Sequence, residues 1–216
     1  MARHKPIRRL LTTAICSLAV TFAAGRVGAV QDTLKQSGEL RKRTEKTSEA
    51  VDKYVTQLDK TEQALSSVSQ AKGNDIKKQY EAFPKEIGKL EEAQKHVTSD
   101  IDEMKSTGAQ YFSSWDTSIA EMSDPQLKKA STERRAKVMK DHDELAATLS
   151  DIGRQLQPFM NNLNDIKTFL GTDLSPANVG KANEMIQKSQ TDAQAMKDKI
   201  AGVQTTLKQF LSEVPK

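Results

Sequence analysis

From Ile76 onward, apolar side chains recur in alternating steps of four and three: Ile76, Tyr80, Phe83, Ile87 and Leu90, then Val97, Ile101 and Met104. That alternation predicts a long helix with one narrow face turned toward another helix. It runs on through Gly108, Tyr111 or Phe112, Trp115, Ile119 and Met122, which at 1.5 Å per residue is a helix of roughly 70 Å. Ser123-Asp124-Pro125 ends it, because Ser123 or Asp124 can cap a new helix and Pro125 suits its first turn. The next seam reads Leu127, Ser131, Arg134, Val138, His142, Leu145, Leu149, Ile152, Leu156, Phe159, Leu163, Ile166 and Leu170, with Gly171 as its stop. Ser175-Pro176 repeats the start signal, and a last seam follows from Val179 through Ile186, Met196 and Leu207 to Phe210, fraying by Pro215.

Upstream, Val51, Tyr54, Leu58, Thr61, Leu65 and Val68 form a shorter seam closed by Lys72-Gly73-Asn74, and the polar residues 32–47 are expected to add little. Long helices joined by short links favour antiparallel neighbours. The predicted fold is therefore all-α, an elongated antiparallel bundle or coiled coil of about four helices. Trp115-Ile119-Met122 and Arg134-Val138-His142-Leu145 depart from strict heptads, and folding about Ser123 brings both departures to one hairpin end. Pro84 and Pro158 fall inside otherwise continuous seams. Either they share a bend at one level of the bundle, or Pro84 begins a fresh helix.

Composition agrees with a thin core. Apolar side chains make up 36% of the 216 residues, charged ones 29% and aromatic ones 5%. The first residues explain the net charge of +4. Arg3, Lys5, Arg8 and Arg9 precede the apolar run Leu10 to Ala24, and small residues follow at Gly28-Ala29. This is the order of a secretory signal peptide, with cleavage expected after Ala29. The domain layout is thus a signal peptide over 1–29, a polar segment over 30–47 and one helical coiled-coil domain over 48–214.

Five of the 33 basic residues and none of the 29 acidic ones lie in that leader, so residues 30–216 carry 28 basic against 29 acidic side chains, net −1. A near-neutral surface speaks against nucleic acid as a partner. Cys16, the one cysteine, leaves with the leader, and with it any disulfide, thiolate zinc site or cysteine nucleophile.

Catalytic signatures are missing: there is no phosphate-binding glycine loop, no Gly-x-Ser-x-Gly and no His-Glu-x-x-His. Neither His96 nor His142 has an acidic residue three positions before it, as a di-iron bundle requires. The sharpest polar candidate brings Asp100, Asp102 and Glu103 to the level of Asp141, His142, Asp143 and Glu144. That group is read either as a divalent-cation site or as a polar layer that fixes helix register. Tyr111, Phe112 and Trp115 cluster beside the basic run Lys128 to Lys140, with Trp115 opposite the small Ala130 and Ser131. Since Tyr111 and Phe112 compete for one seam position, part of the cluster is expected to face outward. Tyr111, Phe112, Trp115, Arg134 and Arg135 are accordingly the candidate partner-contact residues; no catalytic, cofactor or metal residue is assigned.

Phe112-x-x-Trp115, the helix carrying Ser131, and Phe159-Met160-Asn161-Asn162-Leu163-Asn164-Asp165 leading through Leu170 to Leu174-Ser175 resemble a bacterial family of exported coiled-coil proteins, domain of unknown function 2959. The resemblance spans about residues 45–213 and departs in Ser114, where an acidic residue is expected. It implies compartment and shape, and no activity. The expectation is a non-enzymatic, cofactor-free element of the bacterial cell envelope, in the periplasm or outside the cell. Its expected partner is an envelope protein or a second copy, with contact to a membrane surface as a further option. A ligand or metal carrier with an interior polar layer is the alternative.

Overall fold

The computed structural model describes residues 16–215, and side chains from residue 28 onward. The first 15 residues of the expected leader therefore lie outside the described residues. The chain forms α1 (Cys16–Gln70), the short α2 (Asp75–Tyr80), α3 (Phe83–Ala120), α4 (Pro125–Thr172) and α5 (Pro176–Glu213), with no strand among the described residues. The 48 residues of α4 span about 72 Å. α1 packs on α3 and α5, and α4 packs on α3 and α5, which closes the four long antiparallel helices into a bundle.

The helix starts follow local chemistry. Asp124 caps α4, its carboxylate accepting from the backbone N–H groups of Gln126 at 2.8 Å and Leu127 at 2.9 Å. Ser175 caps α5 by accepting from Asn178 N at 3.3 Å. Both helices then place proline in the first turn, where no N–H is needed. Gly73, at φ +56°, turns the chain after α1 in a conformation that other residues adopt only at a cost.

Three expectations change. The helix foreseen from Ile76 to Met122 is interrupted after Tyr80, and Pro84 stands in the first turn of a new helix. Gly171 does not end α4, which continues to Thr172. Instead a β-carbon on Gly171 would lie 2.7 Å from the Tyr80 hydroxyl, which donates to the Lys167 carbonyl at 2.7 Å and docks α2 on α4. The polar stretch 32–47 also belongs to the bundle, with Ser37, Leu40, Thr44 and Thr47 buried along α1.

The reason for the last change is a row of threonines. Thr33, Thr47 and Thr61 stand fourteen residues apart on α1 and donate to the carbonyls of Ser114 (2.9 Å), Asp100 (3.1 Å) and Glu86 (3.2 Å), themselves fourteen apart on α3. Each hydroxyl also reaches the carbonyl four residues back on its own helix. Between them, at the alternate heptads, Leu40 and Tyr54 are buried as apolar knobs.

Candidate functional site at the α3–α4 hairpin end

α3 delivers Tyr111, Phe112 and Trp115 to the hairpin end as a connected group. Tyr111 lies 5.2 Å from Phe112 and 5.3 Å from Trp115, ring centre to ring centre. Phe112 meets the imidazole of His142 edge-on at 5.5 Å, and His142 packs on Phe210 of α5 at 5.8 Å. Trp115 is half-buried, and its indole N–H donates to Ser131 Oγ at 3.0 Å, across from the small residues the sequence places there.

Tyr111 and Phe112 are both buried, at 2% and 3% exposure, so neither faces outward as a contact residue. The four-residue steps in this seam turn two adjacent positions toward the interior. Burial pushes the Tyr111 hydroxyl up to about 12, partly offset by the nearby Arg134 cation.

The basic run is also engaged. Arg135 donates to Asp116 at 2.6 Å and to the sulfur of Met139 at 3.1 Å, with its guanidinium 5.6 Å from the Phe112 ring centre. Arg134 and Lys137 both reach Glu213 of α5. Lys129 and Lys140 pair along their own helix with Glu133 at 3.9 Å and Glu144 at 3.4 Å. Arg134 and Arg135 are thus bonded within the fold, which the sequence of α4 alone does not reveal because their partners lie on α5 and α3.

The acidic residues of the middle level are dispersed. Glu103 pairs with Arg43 of α1, Asp102 with Lys105, and Asp141 with Lys137, whose hydrogen bond holds the Asp141 carboxyl below the usual range. The Asp100 carbonyl serves the threonine row. Asp143 Oδ1 lies 3.0 Å from His142 Nδ1, and Met104 O lies 3.5 Å from Nε2. Among the described residues, no three His, Cys, Asp or Glu side chains converge as a metal site. On the outer side of His142, an open groove of about 480 Å³ runs between α3 and α4, lined in part by Ala109, Phe112, Met139 and Ala146.

The end of the bundle carries a feature that apolar counting missed. α5 stops at Glu213, held by Arg41 from α1 and Arg134 from α4. One heptad beyond each arginine stands a leucine, Leu34 and Leu127, exposed at 57% and 67%. Val30 beside Leu34 is exposed at 52%. The sequence counts Leu127 into the seam, but the fourth helix that would cover it has already ended. Stepping back seven residues from Arg41 and Arg134 is the signal that finds both leucines. No described helix is long and apolar enough to cross a membrane.

A family model described as protein of unknown function (DUF2959) matches residues 33–214. No curated protein and no solved structure matches the chain.

Proposed function

The chain belongs to the DUF2959 family, whose function is unknown, and we propose that it is a non-enzymatic helical protein exported to the bacterial cell envelope, where it acts as a structural or partner-binding element. The leader-like order of residues 1–29 supports export. Partner binding rests on one observation: Leu34 and Leu127 stand exposed on the track that α5 vacates. Apolar side chains that continue a buried track without a covering helix are what a contact surface offers. Trp115, whose indole bonds to Ser131 beside them, belongs to the same end. The contact surface is therefore this end of the bundle, with Leu34 and Leu127 in the place first assigned to Tyr111 and Phe112. The carrier reading has less support, because Ile101, Met104 and Leu145 fill the interior beside the acidic level.

Site-specific photocrosslinkers at Leu127 and at the exposed Thr148 in mid-rod test this in intact cells. The expected result is a discrete adduct, with an envelope protein or a second copy, from position 127 and none from 148. Adducts confined to position 148, or none at 127, would overturn the reading.

A further inference from the structure

Three cations converge on the last turn of α5 from two different helices. From α1, Arg41 Nη1 donates to the carbonyls of Leu211 at 2.7 Å and Val214 at 3.4 Å. From α4, Arg134 Nη2 donates to the Glu213 carbonyl at 2.9 Å and Nη1 to its carboxylate at 3.4 Å. Lys137 Nζ donates to both Glu213 carboxylate oxygens at 2.8 Å and to Asp141 at 2.8 Å. Glu213 is the odd member of this group. A carboxylate at a helix C-terminus sits against the negative end of the helix dipole, where it disfavours the helix unless cations compensate it. Here they do, and the Glu213 side chain is 17% exposed between them.

Beneath this clasp lie Leu207, Phe210 and Val214, all buried, and Phe210 covers one side of the His142 ring. The other side of that histidine lines the open groove between α3 and α4. His142 and Phe112 are therefore a thin wall between the groove and the end of α5. We infer that residues Leu207 to Val214 form a releasable strap, pinned through Glu213 to Arg134 and Lys137, whose detachment opens the α3–α4 groove through to the α5 side and uncovers His142 and Phe210. The cations of the pin face solvent, with Arg134 exposed at 45% and Lys137 at 55%, so mobile ions and competing anions reach them. Nothing in the release depends on a partner. It follows from the charges and from the burial they protect.

Amide hydrogen exchange of residues 207–214 in the purified protein decides the matter, with wild type compared with Glu213→Gln at ~10 mM and ~0.5 M NaCl, a range over which the screening length shrinks several-fold. A strap pinned by Glu213 exchanges roughly tenfold faster in E213Q at low salt. Salt accelerates the wild type toward the variant and affects the variant less, through the Arg41 and Arg134 bonds to the terminal carbonyls alone. A Glu213 that is merely a poorly placed terminal charge gives the opposite sign, since its neutralisation relieves the dipole and slows exchange. Exchange in residues 179–189, at the far end of α5, is the control and stays constant. Unchanged or slower exchange at 207–214 in E213Q overturns the strap, as does an equal salt response in both proteins or an acceleration that spreads to 179–189. Arg134→Gln, which removes one of the two cations of the pin and leaves Lys137 on Glu213, is expected to accelerate exchange in the same direction and to keep part of the salt response.

Discussion

Gly108 on α3 and His142 on α4 meet face to face: a β-carbon on the glycine would lie 2.5 Å from Cε1 of the imidazole and closer still to Nε2. Phe112 and Phe210 flank the ring, whose own exposure is 3%, so it can yield only by tilting toward the groove and giving up those contacts. Gly108→Ala should therefore destabilise the bundle by about 1–3 kcal/mol through overpacking, although alanine is the better helix former. Urea denaturation followed by circular dichroism measures it. His142→Ala opens the space that the new methyl needs, so the double variant should lose less than the two single losses added together. Strict additivity would show that the two residues do not share the clash.

Thr47→Val keeps the shape of the side chain and removes its hydroxyl. The Asp100 carbonyl then loses its bond from α1, at a cost of about 1 kcal/mol, while the Arg43 carbonyl keeps its own helical partner. The same change at Thr33 and Thr61 should add nearly independently, because two heptads, roughly 20 Å, separate successive members. Equal stability of the triple valine variant and the wild type would mean that apolar packing alone holds α1 on α3.

Stability should fall at both ends of the pH scale. On the acid side, the Glu86 carboxyl is held below its ordinary range by hydrogen bonds from Lys89 and Gln57, Asp141 by its bond from Lys137, and Asp173 by the backbone and hydroxyl of Ser175. Their stabilisation is present above the ordinary carboxylate range, about 4, and is lost as pH falls through the depressed folded values. On the alkaline side, burial pushes Tyr111 up to about 12 and Tyr54 higher still. That stability is present below the ordinary tyrosine value, about 10, and drains away as pH rises through the folded values. Thermal melts between about pH 2 and 12 should show both limbs, with Tyr111→Phe flattening the alkaline one.

Trp115 is the only tryptophan, so fluorescence reports the hairpin end without labelling. Ser131→Ala leaves the indole N–H without its 3.0 Å partner and should cost about 1 kcal/mol with a shift of the emission maximum. Trp115→Ala, as truncation of a half-buried ring, should cost about 3 kcal/mol, the low end for a large aromatic.

If the leader is processed as proposed, the protein recovered from the envelope should begin at Val30, since Val27 and Ala29 supply the small residues behind the apolar run. Intact-mass measurement of protein recovered from the envelope checks this directly. A chain that retains Met1 there would show that the leader stays attached.

Where apolar spacing carried the fold, it was readable: the seams of α5 and of α4 from Val138 onward follow from steps of three and four, the breaks at Gly73, Ser123 and Ser175 from their turn and capping residues, and the level of Trp115 and Ser131 from folding about Ser123, whereas Leu127 and Arg134 of the expected α4 seam are exposed. Where the contact is a hydroxyl on a helix carbonyl, it was not. Thr33 and Thr47 look like surface residues to any hydrophobic count, yet they line α1 against α3, and Thr44 between them is buried. The restart at Phe83, with Pro84 in its first turn, is one of the two readings the proline allows, and the uninterrupted seam does not choose between them. Tyr111 and Phe112 look mutually exclusive in a strict heptad and are jointly accommodated where the seam slips. Arg134 and Arg135 look like a free basic face until α5 and α3 supply Glu213 and Asp116.

The threonine row on α1 also limits how this hairpin can change length. Because donors and acceptors both recur at fourteen residues, with Leu40 and Tyr54 filling the alternate heptads, removing seven residues from one arm would set a leucine or tyrosine against carbonyls that now receive a hydroxyl. A deletion of whole heptads taken from the same level of both arms leaves every remaining hydroxyl on its carbonyl and every remaining knob in its hole. A shortened or lengthened relative that keeps this packing should therefore lose or gain heptads in pairs, one from α1 and one from α3.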